Sequence, residues 1–536
     1  MDKRNNLIQS KNTGYFVFKI LSFKINYKVS LCRREYKNLY NASKLKIIMK
    51  ILIGYPPTES KKGVALLSQN RQFQWFSNPS YIYPVILGSA ATLLQKEGNE
   101  VRWIDCIAEK INWNDFIDIL EKEKPEIFAF ETKTPVVKQH WMIINKLKEK
   151  SPKMKIVIMG DHTTAFPEES MKNSKVDFVL CGGDFDFLLG GLVDYLGKKT
   201  KKIPLGIYYR KNKKIISSGK FQLKHNLDDL PFIDRELTKW EIYQTEYNIS
   251  RKPYFYIMSG RDCWWGKCKF CAWPTLFPEF RVRSVENVLD EIGVLIEEYD
   301  AKEIFDDSGT LMIGKWLKDL CHGLINRGYN KKIKYSCNMR FGALKQEDYN
   351  LMKKAGFRLL KFGLETANQK TLDRLNKGIK IEDIAEGCAM AKKAGLTVHL
   401  TMIVGYPWET KEDALRTFEL AKKLMQSGLA DLLQSTVLIP YPGTPLWKEA
   451  KENNWFLFNH LDYERYDMRE PVLKTKNSDA KEVAEICGKI YTVFLTPSYI
   501  LARLKNLKSW DDLVLNLRGV KAVLGHLKDF GKRNVN

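Results

Sequence analysis

The chain has 536 residues, 44% of them hydrophobic and 28% charged, enough to bury large cores, which excludes an intrinsically disordered protein over most of its length. At roughly 100–200 residues per domain it holds about three domains. The net charge of +24 taken alone points to nucleic acid or an anionic membrane, but residues 1–48 hold 11 Lys/Arg against 2 Asp/Glu and residues 501–536 hold 8 against 3, so more than half of the excess lies in two solvated basic tails.

Residues 1–48 read as a basic extension without a fold of its own. From 49 to 200, β-rich runs at 49–55, 100–105, 127–131, 155–159 and 178–180 alternate with helical stretches at 84–95, 113–123, 138–150 and 166–173. Five strands alternating with helices predict a parallel, doubly wound sheet. Such sheets bind ligands outside their C-terminal strand ends. Those ends carry Tyr55-Pro56-Pro57, Glu131-Thr132-Lys133-Thr134, Gly160-Asp161-His162 and Cys181-Gly182-Gly183-Asp184. Residues 201–250 read as a linker with a hairpin over 204–218.

A second alternation runs from 251 to 450, with strands expected at 254–258, 303–305, 334–337, 359–363, 397–404 and 434–439. Six parallel strands with crossover helices close partly into a (β/α)6 barrel with active residues at the C-terminal ends. The rest, 451–536, reads as a helical C-terminal region. In and just before it, Trp447, Trp455, Phe456 and Phe458 are apolar candidates for a substrate wall or for plain core packing. The chain contains no apolar run of 18 residues, so no membrane span is expected and the reading is cytoplasmic.

Ten cysteines are too few for a disulfide scaffold of this length. Three of them, Cys263, Cys268 and Cys271, fall within nine residues, just after a strand. Three thiolates so close can hold three irons of one [4Fe–4S] cube and leave the fourth without a protein ligand. An open iron, like the open position of a catalytic zinc, admits a substrate or cosubstrate. Zinc with a distant fourth ligand is the alternative, but no Cys or His follows Cys271 until Cys321.

The Cys263-Trp264-Trp265-Gly266-Lys267-Cys268-Lys269-Phe270-Cys271 segment resembles the radical SAM superfamily. That family spaces its cysteines by three residues and then two; here the spacing is four and then two, as in a Cys-Trp-Trp-Gly-Lys-Cys variant of a cobalamin-associated subset. Phe270 matches the aromatic before the last cysteine. The resemblance implies further sites in chain order. Asp307 and Ser308, after the second barrel strand, lie near the amino group of S-adenosylmethionine (SAM). Arg340 ends the third strand with Asn338. Glu365, in Gly363-Leu364-Glu365-Thr366, faces the ribose or methionine. Gly405 and Glu409 belong to the adenine-side loop, and Pro442-Gly443-Thr444 matches a turn of this subgroup.

The first domain resembles the cobalamin-binding domain that precedes such cores, through Tyr83-Pro84…Leu87-Gly88, Gly160-Asp161-His162 and Cys181-Gly182-Gly183-Asp184. Residues 227–237 resemble the linker of the same class. The resemblance implies that Gly182 and Gly183 offer backbone to the corrin tail, with His162 beside the cofactor. The Asp-x-His-x-x-Gly motif that supplies an imidazole to cobalt elsewhere is absent after the first strand.

What the resemblance implies is reductive cleavage of SAM at the cluster, followed by cobalamin-dependent methylation of an unactivated carbon or phosphorus in a small or lipid-like substrate. A reductant such as flavodoxin or ferredoxin supplies the electron. Alternatives are a cobalamin-dependent cyclase or rearrangement enzyme without methyl transfer, a non-catalytic cofactor carrier, or an RNA-binding protein. A methylthiotransferase would need a second cysteine triplet, and only Cys106 and Cys181 lie between 49 and 250.

Overall fold

The computed structural model describes residues 48–65, 67, 73–77, 79–245, 249–505, 514 and 517–520. The expected basic extension therefore lies outside the described residues, apart from Ile48. The run 49–55 becomes strand β1 (Lys50–Tyr55), buried from its second residue onward. A strand apolar on both faces belongs in the middle of a parallel sheet, and β1 takes that place. It is flanked by β2 (Glu100–Asp105) and β3 (Ile127–Glu131). Next come β4 (Lys155–Met159) and β5 (Phe178–Leu180), all parallel. The contact between β1 and β2 is close: a β-carbon on Gly54 would stand 1.6 Å from the Ile104 carbonyl oxygen.

The hairpin expected in the linker does form, as β6 (Ile207–Lys211) and β7 (Lys214–Ser217). It is not a free connector. It pairs antiparallel with β5 and extends the sheet to the order β2-β1-β3-β4-β5-β6-β7. The direction of sheet order reverses between β1 and β3. In this class of sheet, that switch point opens the ligand crevice.

The second sheet has six parallel strands in sequence order: β8 (Tyr254–Ile257), β9 (Glu303–Asp306), β10 (Lys334–Met339), β11 (Phe357–Glu365), β12 (Thr397–Val404) and β13 (Leu432–Val437). Its two edge strands do not pair, so the barrel stays open on one side. Alternate residues face a core shared with the outer helices, among them Leu360, Phe362, Val398 and Leu400. The opposite face lines the lumen.

One apolar cluster spans both units. It holds Phe185 and Leu188 from the first, Tyr254, Tyr256, Trp273 and Phe277 from the second, and Tyr243 and Ile249 between them. The stretch after residue 452 departs from the helical expectation. Residues 454–478 are largely irregular, with Phe456 bridged to Leu473 and buried in an aromatic cluster. Helix follows only at Ala480–Lys489, where Cys487 Sγ meets Ser435 Oγ of β13 at 3.3 Å. Among the described residues no helix is long and apolar enough to cross a membrane.

Candidate active site at the barrel mouth

The cysteine loop leaves β8 and is tied down along its length. Cys263 bridges to Thr310 after β9, its thiol 3.3 Å from Thr310 Oγ1. The indole N–H of Trp264 donates to the Leu311 carbonyl at 3.2 Å, and that of Trp265 to the Asn376 carbonyl at 2.8 Å. The Lys269 amide donates to the Leu375 carbonyl at 2.9 Å. These anchors come from loops at the C-terminal ends of neighbouring strands, so parallel topology gathers them at one mouth.

None of the three cysteines is in a disulfide, and all are half-buried. Among the described residues no three Cys, His, Asp or Glu side chains converge on a single metal ion. A cube needs no such convergence, because each thiolate takes a different iron. Burial pushes the Cys268 thiol up, while Lys377 and Arg340 pull it down. Cluster ligation requires thiolates, and those two cations favour them. The donor set fits an iron–sulfur cube better than a lone zinc.

Around the loop, Lys377 donates to Glu365 Oε1 at 2.5 Å, both side chains being nearly buried. Burial works against the lysine's charge, yet Glu365 and Cys268 hold its pKa above the ordinary value. Glu365 itself sits at φ +62°, a region few residues other than glycine adopt. A register shift between Gly363 and Glu365 places it there. A β-carbon on Gly363 would stand 2.1 Å from Glu365 Oε1, so the preceding glycine makes room for the carboxylate. Arg340 stacks 4.1 Å over the Trp265 ring and donates to the Gly378 carbonyl at 2.7 Å.

The other expected SAM residues divide. Asp307 stays half-exposed and accepts from Asn338 Nδ2 at 3.4 Å. Ser308 is buried in the frame: its hydroxyl donates to Asp306 at 2.7 Å and accepts the Gly260 amide at 2.8 Å. Gly405 adopts φ +89° against Val483. Glu409 accepts from the Thr366 hydroxyl at 2.8 Å, and burial pushes its pKa up to about 7. Phe270 packs on the cluster of Tyr406 and Leu375. The Tyr406 hydroxyl is buried without a hydrogen-bond partner among the described residues. It lies in the field of Glu365, Glu409 and Cys268. Neither Tyr406 nor Lys377 stands out in the sequence.

The first unit docks its strand ends beside this mouth. Helix Asp161–Ala165 packs on helix Trp273–Leu276, two residues past Cys271. Gly182 and Gly183 are absorbed by that contact. The Gly183 amide donates to the Leu276 carbonyl at 2.9 Å, and a β-carbon there would stand 2.0 Å from Phe277. A β-carbon on Gly182 would stand 2.5 Å from Phe221. His162 has both ring nitrogens engaged, by Thr134 Oγ1 and Glu169 Oε2, each at 3.2 Å. His140, also buried, is held by Thr132 at 2.7 Å and Thr58 at 3.3 Å. At the switch point Tyr55 donates to Glu131 at 2.8 Å, and burial pushes that carboxyl up to about 7.

Residues 257–421 match the family model of the Radical SAM superfamily. The chain is 29% identical over 462 residues to an uncharacterized methyltransferase of Pyrococcus horikoshii, covering 85% of this chain and 94% of that one. It is 25% identical over 402 residues to an anaerobic magnesium-protoporphyrin IX monomethyl ester cyclase of Cereibacter sphaeroides, covering 72% and 62%. Among solved structures, the radical SAM methyltransferase TsrM of Kitasatospora setae, with cobalamin and [4Fe–4S] cluster bound, superposes with TM-score 0.63 at 14% identity over 91% of this chain and 100% of that one. The cobalamin-dependent SAM radical enzyme OxsB, with aqua-cobalamin and SAM bound, superposes with TM-score 0.64 at 14% identity, covering 90% and 72%. At that identity the likeness is one of fold.

Proposed function

We propose that this chain, whose residues 257–421 match the family model of the Radical SAM superfamily, is a cobalamin-dependent methyltransferase of that superfamily. Its thiolates Cys263, Cys268 and Cys271 hold a [4Fe–4S] cluster for the reductive cleavage of SAM. One observation carries this reading. The three cysteines sit at the C-terminal mouth of a parallel six-stranded barrel, beside Glu365, Lys377 and Arg340, with a doubly wound sheet docked against the same mouth. The names of the similar proteins support it, since TsrM and OxsB were solved with cobalamin bound.

When bound, the cluster supplies the electron that splits SAM, and cobalamin carries the methyl group. The chain's own residues bind and orient. Lys377 and Arg340 set positive charge beside the thiolates. Glu365 and the half-exposed Asp307 offer carboxylates to the polar groups of SAM, while Ser308 and Glu409 hold the loops that carry them. Tyr406 brings a buried hydroxyl to the same side. Cobalamin is assigned to the switch point outside the ends of β1 and β3, where Tyr55, Glu131 and Lys133 stand. His140 and His162 each have both ring nitrogens engaged by protein side chains, so Tyr55, Glu131 and Lys133 would be the residues that meet the cofactor there. The substrate is small or lipid-like, the reductant a flavodoxin or ferredoxin, and the compartment the cytoplasm. Nucleic acid plays no part in this reading.

The test is anaerobic reconstitution with iron, sulfide and hydroxocobalamin. The reading expects corrin absorbance retained through gel filtration and a methyl group leaving SAM. A colourless corrin region on protein that carries its iron counts against the cobalamin assignment.

A further inference from the structure

Outside the two basic tails the chain carries a net charge of +10, and all of it lies in one stretch. Residues 198–224 hold nine Lys, one Arg and no Asp or Glu, so the rest of 49–500 is neutral. All nine lysines are exposed. Among the described residues one of them, Lys199, has a carboxylate partner, Asp194 at 2.7 Å. Arg210 donates instead to the Met171 and Ser174 carbonyls. A surface charged for solubility intersperses both signs; this one does not.

The stretch forms the open edge of the first sheet. Lys201 and Lys202 precede β6, Lys211 and Lys214 are register partners at the tip, and Lys220 follows β7. From root to tip the edge runs roughly 13 Å. The turn at the tip is tight, with Asn212 at φ +51° and Lys213 at φ +65°. A two-residue turn of this kind prefers glycine at its second position, and a lysine there is strained. Like charges set opposite each other across a strand pair also repel. Protecting an edge strand calls for a charge on the strand, not for lysine in a strained turn.

The chemistry of the edge narrows what it meets. Lysine heads are compact charges suited to a diffuse anionic surface. Binding of single-stranded nucleic acid rests on aromatic rings open to stacking, and the three rings of the stretch, Tyr208, Tyr209 and Phe221, are all partly buried. A second copy of the chain would bring +24 against +24. A large apolar side chain stands among the lysines instead: Leu205 is 45% exposed. We propose that this edge docks the protein on an anionic lipid surface, with the lysines over the headgroups and Leu205 at the boundary of the acyl layer. The inference is independent of the methyltransferase reading, and its test needs neither cluster nor SAM.

Full-length protein is sedimented with phosphatidylcholine vesicles, with and without phosphatidylglycerol. The expected result is binding that needs the anionic lipid and weakens with added sodium chloride. The two tails are common to every protein compared. Lys213→Gly partitions about fivefold more weakly, while its urea midpoint stays at or above that of wild type because glycine relieves the turn. Lys211→Gln, Lys213→Gly and Lys214→Gln together lose about a hundredfold. Lys331→Gln, Lys332→Gln and Lys345→Gln together remove the same charge from exposed positions on the barrel and change partition by less than about twofold. Binding without dependence on anionic lipid, wild-type partition of the hairpin triple variant, or an equal loss in the barrel triple variant overturns the proposal. A hairpin-dependent loss on poly(U) but not on the vesicles would assign the edge to nucleic acid and overturn it as well.

Discussion

Arg261, two residues before Cys263, forks onto Asp186 at the head of the helix Phe185–Leu196. Its two terminal nitrogens lie 3.0 and 2.5 Å from the two carboxylate oxygens. Asp184 adds a third contact at 3.0 Å and also pairs with Arg281 at 2.7 Å. Burial works against the Asp184 charge, yet His225 and the two arginines hold its carboxyl well below the usual range. The first sheet and the cysteine loop are thereby joined through charges that water does not reach.

Removing one partner of such a pair leaves the other charge buried alone, at a cost of about 3–5 kcal/mol. Asp186→Ala is therefore expected to lower unfolding stability by about 3 kcal/mol in urea denaturation. Lys315→Ala, which breaks an exposed pair with Asp319, changes it by no more than about 0.5 kcal/mol.

Gly183 is a second interdomain contact with a steric signature. Gly183→Ala forces its new methyl into the Phe277 ring, and overpacking of this kind costs about 1–3 kcal/mol. Gly183→Ala with Phe277→Leu loses less than the sum of the two single changes, read as a non-zero coupling in a double-mutant cycle.

Glu131 predicts a pH signature. Its folded pKa lies near 7 against 4.5 for an ordinary glutamate, so the folded state keeps a proton that the unfolded chain releases between those values. Stability tied to this group is full below pH 4.5 and is lost as pH rises to about 7. Glu131→Gln still accepts from Tyr55 but does not titrate. Relative to wild type it gains about 3 kcal/mol on going from below to above that window, measured by urea denaturation at both ends.

His162 has both ring nitrogens engaged by protein, and the proposed reading expects corrin binding to be independent of it. His162→Gln retains corrin absorbance after anaerobic reconstitution with hydroxocobalamin, at the wild-type stoichiometry.

Much of this architecture is legible in the sequence, because strand periodicity and the cysteine spacing are local signals. The run 49–55 announces β1, and three thiolates in nine residues announce the loop. What is not legible depends on topology. Asp186 and Arg261 are 75 residues apart, and nothing local to either names its partner. Lys377 follows the helix Gln369–Arg374 as an ordinary lysine would, and the shifted register at Gly363 places the Glu365 that it meets. The glycine pair 182–183 shows the same limit: its close approach to Phe221 and Phe277 depends on residues far along the chain. The hairpin 207–217 is visible as a hairpin, but its place on the edge of the sheet is not.

The measurement that bears most directly on the central claim is SAM cleavage by anaerobically reconstituted protein under a strong reductant, followed as nucleoside product beside iron content. Wild type is expected to bind iron and cleave SAM, and Cys263→Ala, Cys268→Ala and Cys271→Ala to lose both. Lys377→Gln should keep its iron and cleave about tenfold more slowly or worse. Cleavage at the wild-type rate in all three cysteine variants would contradict the account.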